Sequence, residues 1–485
     1  MVVTADRRSS SLPGAMTGAR PAIAIGAISA AAIFLPTWAA AGCVLALLLA
    51  PVAWYAFAEP QRWLPLLFFA LLLLPPIPLP FGDTGPHPAI LVAALGLLAG
   101  MVRLDQWTSI HWSLPSLALL ALTFALAISI AFAAVYSGPA IAASSAARLA
   151  LFGIGVYVYF SAAHGPDRQR RTAAMHTTRT LFWIAAGAAL FGCIDFLYQL
   201  PAPAGFEPKF LWLDSGVYRR AQGFFYESST LGNFCAFFLV FVSVSLAEPR
   251  TRRVLPGMAL GLGAVLFASA MLLSFSRASV LACGVSLMAL AVIERDRWFT
   301  RRSWMWIAGL GCVAVILFAI AVPEVAEGYW GRLQQALDNI QDSPDRTFSG
   351  RLASWTTVAG FIGEHPWQTI FGIGYKTLPY TEYLGRPVIA DNMYLSLLVE
   401  TGVLGFIALI ALNVAILGAS WKALRRGSFH GKWLFCFWIG ESLQMLSGDI
   451  LTYWRVLPIY FWVLAQAVHA GERTGEGEPR ATPIG

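Results

Sequence analysis

Long apolar runs alternate with short polar breaks along most of the chain. The runs fall at residues 21–35, 38–58, 63–81, 88–103, 114–136, 146–163, 178–200, 229–247, 254–275, 278–293, 304–322, 391–420, 433–448 and 455–470. A helix needs roughly 20 apolar residues to cross the hydrocarbon core of a bilayer. The pattern predicts an all-α, polytopic helical membrane protein of about 12–14 transmembrane helices.

The breaks divide the chain into a cytoplasmic N-terminal tail (1–20), N-terminal transmembrane helices (21–200), transmembrane helices carrying outer-face arginines (201–322), a large outer-face loop (323–390), C-terminal transmembrane helices (391–470) and a cytoplasmic tail (471–485). The large loop is too periodic for a linker. Trp330, Leu333, Leu337 and Ile340 recur at helical spacing, as do Leu352, Trp355, Val358 and Ile362. Both pieces read as amphipathic helices lying against the outer leaflet. Long ordered loops are usually functional.

Composition narrows the class. Hydrophobic residues are 58% of the chain and charged residues 12%, too few charges to cover a soluble domain of 485 residues. The net charge of +7 is not a nucleic-acid signal. With the N-terminus in the cytoplasm, the breaks EPQR, MVRLDQ, HGPDRQRRTAAMHTTR, EPRTRR, ERDRWFTRR and WKALRRGSFHGK fall on the cytoplasmic side, as lysine and arginine do in such proteins. Six cysteines all lie in apolar runs and the histidines lack ligand spacing, so neither a disulfide framework nor a metal site is expected. AAGC at Ala40–Cys43 resembles a lipoprotein cleavage site, but the apolar run continues past it, and a second span is expected.

Candidate chemistry lies on the opposite face. P-loop, GxSxG and HExxH patterns are absent, and FGIGYK follows no predicted strand. VYRRAQGFFYESS places Arg219 and Arg220 ahead of a span, and LSFSRAS places Arg277 at a tight hairpin on the same face. Each arginine alone could snorkel to lipid headgroups. Together they suit a pyrophosphate, which guanidinium groups bind through charge-assisted bonds. Asp391 and Asn392 open the span after the large loop; Asp391 reads as a helix N-cap, as a base, or as both. Glu227 is expected to cap its helix or pair with an arginine. Arg351 and Arg346 are candidates for a glycan or phosphate, or for a solvated loop face. Glu400 reads as buried structure, and Asp449 is expected to pair with Arg455.

These segments carry a resemblance. RAQGFFYESSTLGNF, LSFSRAS, SGRLASW, HPWQTIFGIGYKTL and DNMYLSLLVETGVLG, in that order, resemble motifs of the O-antigen ligase and Wzy-type polysaccharide polymerase superfamily. The last includes the ten-residue interval from Asn392 to Gly402. The resemblance covers roughly residues 215–420. It implies a C-type glycosyltransferase of the inner membrane, with both termini cytoplasmic, a large periplasmic loop (323–390) and a periplasmic active site, and no cofactor. The implied substrates are an undecaprenyl-pyrophosphate-linked glycan and a glycan or lipid A-core-like acceptor; no nucleic acid is implied. The reaction would be metal-independent and inverting, in O-antigen or exopolysaccharide biosynthesis.

Asp391, Arg220 and Arg277 are then the catalytic candidates, and Arg219, Arg351, Asn392 and Glu227 the substrate-binding ones. Two positions depart from the family pattern. Asp391 stands where ligases have a histidine, and Glu227 where relatives often have Asn or Pro. The departure at Asp391 weakens a ligase relative to a polymerase. The alternative from another class is a transporter or flippase of lipid-linked oligosaccharide; it needs polar groups at mid-membrane, where the spans are mostly Ala, Leu, Val and Phe.

Overall fold

The computed structural model describes residues 62–77, 86–102, 112–164, 171–202, 206, 208–213, 216–295, 351–380 and 388–472, with scattered positions between 323 and 334. The expected spans at 21–35, 38–58 and 304–322 lie outside the described residues, as do the tails and most of the 330–340 piece. The chain divides after Trp63, and the elements below, apart from Trp63 at the start of the first helix, belong to the unit that begins at Leu64.

In chain order the helices are α1 (Trp63–Leu73), α2 (Pro88–Val102), α3 (Leu114–Ser137), α4 (Pro139–His164) and α5 (Arg171–Tyr198). A small antiparallel hairpin follows, β1 (Phe210–Leu213) and β2 (Gly216–Arg219), with Phe210 opposite Arg219. Then come α6 (Ser228–Ala247), α7 (Gly257–Leu273), α8 (Arg277–Ile293), α9 (Arg351–Glu364), α10 (Pro366–Phe371), α11 (Met393–Arg425), α12 (Phe429–Gln444) and α13 (Leu457–Glu472). Among the described residues, α3, α4, α5, α6 and α11 are long and apolar enough to cross a membrane. The protein is an all-α polytopic membrane protein.

Short polar residues set the helix starts. Ser113, Ser276, Asn392 and Ser428 each accept a backbone N–H from three residues on, at 3.3, 3.4, 3.2 and 3.3 Å. Each satisfies a donor that the first helical turn leaves unpaired.

The core runs along α6, which packs against α7, α8 and α12. Phe237 lies 4.3 Å from Trp433 and 4.5 Å from Tyr460, ring centre to ring centre, with Phe234, Phe238, Phe241 and Phe437 around them. The outer faces are equally apolar: Val135, Val265, Met288, Val414 and Leu404 are all exposed. A surface of that kind is stable only against lipid or a partner.

The two ends of the bundle differ. At one end Lys432 sits between Glu248 at 2.6 Å and Glu294 at 2.7 Å, tying α6, α8 and α12 together. The basic breaks 250–253 and 422–426 lie at this end. At the other end the turn after α12 meets α1: the Arg455 guanidinium donates to the carbonyls of Leu71 at 2.6 Å and Leu74 at 2.9 Å, and to that of Phe224. This end carries the arginines.

One face of the helix at 351–364 packs against its neighbours. Val358 and Phe361 of α9 are buried against Ile373, Leu378, Val388, Ala390 and Val399, with Ile362 packed beside them. After α10 the backbone plugs a break in α11 at Gly402, where φ is 73° and ψ −173°. The break frees carbonyls at Val399 and Glu400, which accept Ile373 N–H at 3.0 Å and Gly374 N–H at 2.8 Å. Only glycines allow this contact: a Cβ on Gly372 would lie 2.8 Å from Gly402 N, and one on Gly374 would lie 2.6 Å from Ala133 N. The glycines of HPWQTIFGIG and of ETGVLG are two sides of one backbone junction.

Candidate functional site

Arg219 ends β2 and Arg220 follows it, and their side chains go to different partners. Arg219 is buried and donates through Nη2 to the Asp195 carboxylate and to the Leu200 carbonyl. Its backbone N–H donates to Gln199 Oε1 at 2.6 Å. The other Asp195 oxygen accepts the backbone N–H of Gly223 at 3.0 Å. Asp195 therefore clamps both sides of the segment that carries Arg220.

Arg220 is half-buried. Its Nε donates to the Ser274 carbonyl at 3.1 Å and Nη2 donates to the Phe275 carbonyl. Ala221 N–H donates to the Leu273 carbonyl at 3.0 Å. Arg220 thus caps the end of α7, where carbonyls carry partial negative charge. Two residues later Arg277 opens α8 and is exposed. The structure brings Arg220 onto the hairpin that presents Arg277. Arg219 is directed to Asp195 instead.

Asp391 is not the N-cap of α11; Asn392 is, through its 3.2 Å contact with Leu395 N–H. Asp391 adopts φ 44°, a left-handed conformation uncommon for a residue with a side chain. Its carboxylate is directed to Arg351 at 3.4 Å, at the start of α9, with both side chains partly exposed. Trp355 Nε1–H donates to the Ala390 carbonyl at 2.7 Å, which pins α9 beside Asp391. Met393 N–H donates to the Met445 carbonyl at 2.9 Å, and Gln444 Nε2–H donates to Ser279 at 3.3 Å. The Asp391–Arg351 pair and the Arg277 hairpin are thus joined through the end of α12.

Two expectations are corrected, for Asp449 and for Glu227. Asp449 pairs with Lys376, not Arg455; Arg455 is consumed by three carbonyls and lies 5.5 Å from the Phe225 ring. Burying a guanidinium among carbonyls satisfies its rigid fork of donors without a carboxylate. Glu227 stands at the N-cap position of α6 with no side-chain cap bond. It accepts from Ser229 at 2.7 Å and faces Lys209 at 3.7 Å rather than an arginine.

Several polar side chains inside the bundle escaped the sequence reading. Asp195 sits in the apolar run FGCIDFLYQL. Asn233, Glu441 and Gln444 lie in α6 and α12 and are buried. For Asp195 and Glu441 the signal was present, because an ionisable residue within a span is rare without a role.

Residues 262–410 match the family model described as O-antigen ligase. The matched stretch holds Arg277, Arg351, Asp391, Asn392, the three glycines of the backbone junction (Gly372, Gly374 and Gly402) and the first half of α11; Arg219, Arg220 and Glu227 precede it. No curated protein matches the chain. The match spans residues 262–410 of 485, and over that stretch the chain is similar to the O-antigen ligases, which supports a place in the O-antigen ligase and Wzy-type polymerase superfamily.

Proposed function

We propose that the protein is a membrane glycosyltransferase that joins an undecaprenyl-pyrophosphate-linked glycan to an acceptor hydroxyl on the periplasmic face of the inner membrane. The observation that carries this reading is the placement of Arg220 on the backbone hairpin that exposes Arg277. The two arginines come from separate segments at one end of the bundle, where a lipid-borne pyrophosphate would lie. Its chain would extend along the apolar outer faces of the helices.

The chemistry follows from those positions. The acceptor oxygen attacks the anomeric carbon from the face opposite the lipid pyrophosphate. The bond between that carbon and the pyrophosphate oxygen breaks with inversion, and its electron pair stays on the leaving oxygen. Arg277 meets the growing charge, with Arg220 adding positive potential from behind. Asp391 takes the acceptor proton, and Arg351 orients its carboxylate. Because Asn392 performs the capping, the Asp391 carboxylate is not tied up by backbone N–H groups. The lipid pyrophosphate is already a good leaving group, so the reaction calls for no metal and no nucleotide sugar.

One observation favours the flippase alternative: α11 is broken at Gly402 next to buried Glu400, as in transporters with discontinuous helices. The freed carbonyls are filled by Ile373 and Gly374, however, and present no open ion site. The deciding experiment supplies purified protein with lipid-linked oligosaccharide and an acceptor. An enzyme releases lipid pyrophosphate and lengthens or transfers the glycan, and Arg277→Ala abolishes this while the protein stays in the membrane. Movement of intact lipid-linked glycan without release sinks the reading. Gel analysis of surface polysaccharide after deletion then separates polymerase, which leaves single units attached, from ligase, which leaves polymer unattached.

A further inference from the structure

A buried polar network crosses the bundle directly behind Arg277. Tyr460 O–H of α13 donates to Asn233 Oδ1 of α6 at 2.5 Å, and Asn233 Nδ2–H donates to Glu441 Oε2 of α12 at 2.5 Å. One turn further along α12, Gln444 Nε2–H donates to Ser279 Oγ at 3.3 Å. Ser279 shares a 2.8 Å bond with Ser276, the residue that caps α8 immediately before Arg277. Glu441 and Asn233 are fully buried and Gln444 nearly so.

The network has one gap. Glu441 Oε1 and Gln444 Oε1 are both buried, and neither has a hydrogen-bond partner. They are acceptors three residues apart, on one face of the same helix. No ion pair reaches Glu441 among the described residues, and the ionisable groups in its electrostatic range are the tyrosines Tyr394, Tyr453 and Tyr460. A buried carboxylate with no cation and one amide donor is costly. A single proton on Glu441 Oε1 would remove the buried charge and supply a donor on the helix face where Gln444 Oε1 lacks one. The amide of Gln444 is then fixed with its nitrogen toward Ser279.

Here α12 and α8 are in backbone contact. A Cβ on Gly440 would lie 2.9 Å from the Ala282 carbonyl carbon, and Ser286 Oγ–H reaches the Phe437 carbonyl at 3.4 Å. The register of α8 is therefore set by α12, and α8 carries Arg277 on its first turn. We infer that Glu441 is held as the neutral acid and that, with Gln444, it is a positioning element that fixes the Arg277 end of α8. This rests on the reading of Arg277 as a pyrophosphate ligand.

The test uses the full chain in lipid nanodiscs. Infrared difference spectra of wild type against E441Q isolate the Glu441 side chain at neutral pH. A protonated-carboxyl stretch lost in E441Q is the expected result; loss of a carboxylate band overturns the inference. Glutamine supplies both a donor toward Gln444 and an acceptor toward Asn233, so E441Q retains near wild-type transfer, whereas E441L loses roughly tenfold or more. Well-folded but inactive E441Q overturns a positioning role. Q444L raises KM for the lipid-linked substrate without reducing folded protein; an unchanged KM overturns the link to Arg277. If wild-type protein transfers no glycan, the functional reading fails, and the infrared bands still decide the state of Glu441.

Discussion

The Asp195–Arg219 pair offers a quantitative test of how the arginine segment is held. Both side chains are buried, at 4% and 8% exposure, and Asp195 also holds the backbone N–H of Gly223. Asp195→Ala removes the counter-charge and leaves the Arg219 guanidinium inside the bundle. Breaking one side of a buried pair costs about 3–5 kcal/mol, mostly from the stranded charge. The lost bond to Gly223 adds about 1 kcal/mol. Replacing both partners, as in Asp195→Ala with Arg219→Met, strands no charge, so the double variant should recover about 2 kcal/mol or more of the loss. Equilibrium unfolding in mixed micelles measures each corner of the cycle. Transfer should fall in Asp195→Ala as Arg220 leaves the α7 carbonyls, and return in part in the double variant. A cycle with no coupling, or a double variant worse than the sum of the singles, would refute the clamp.

Three further outcomes follow from the same contacts. Gly402→Ala places a side chain where φ is 73° and ψ −173°, a region essentially restricted to glycine, and its Cβ would lie 2.9 Å from Gly372 N; the backbone alone costs about 1–3 kcal/mol, read as a lower midpoint in the same unfolding assay and loss of transfer. Trp355→Phe removes the 2.7 Å bond to the Ala390 carbonyl; stability should fall by only about 1 kcal/mol, while transfer falls further because Asp391 and Arg351 lose their fixed spacing. His87 is buried beside Arg455, and burial first, then that charge, lowers its pKa to about 3; the unfolded chain binds the proton from about pH 6.5 downward, so stability is full above that pH and falls toward pH 3 by on the order of 4 kcal/mol, and unfolding midpoints of His87→Gln should lose that part of the acid dependence.

The helices were legible because apolar run length is a direct consequence of bilayer thickness. Which helix is central was not. α6 is buried on nearly all sides and α3 faces outward along much of its length, yet both are uniformly apolar, since lipid and protein interior select the same side chains. The paired arginines were legible as departures from the charge asymmetry of the loops, but their separate fates were not. β2 is four residues long and ends at Arg219, which turns inward, while Arg220 just past it goes toward the α7 end. A hairpin that short leaves little periodicity to read, and Asp195, which decides the issue, is 24 residues away from Arg219.

Asp391 shows what sequence position alone misassigns. Asp and Asn are both good caps, so ADN at a helix start is ambiguous by one residue. The structure resolves it by giving Asn392 extended backbone geometry and Asp391 a left-handed one. That conformation costs energy for a side chain with a Cβ, and it is held by contacts on both sides: Trp355 on the Ala390 carbonyl and Met445 on the Met393 N–H. The carboxylate released from capping is the one that meets Arg351. Moving the cap by one residue therefore turns a structural aspartate into an available one. The segment that carries Asp391 and the hairpin that carries Arg277, the proposed base and pyrophosphate ligand, are joined through the end of α12, whose Gln444 and Met445 touch both halves. A substitution in α12 that shifts one half must shift the other, so variants there should alter acceptor and donor kinetics together, whereas variants at Arg351 should move the acceptor alone.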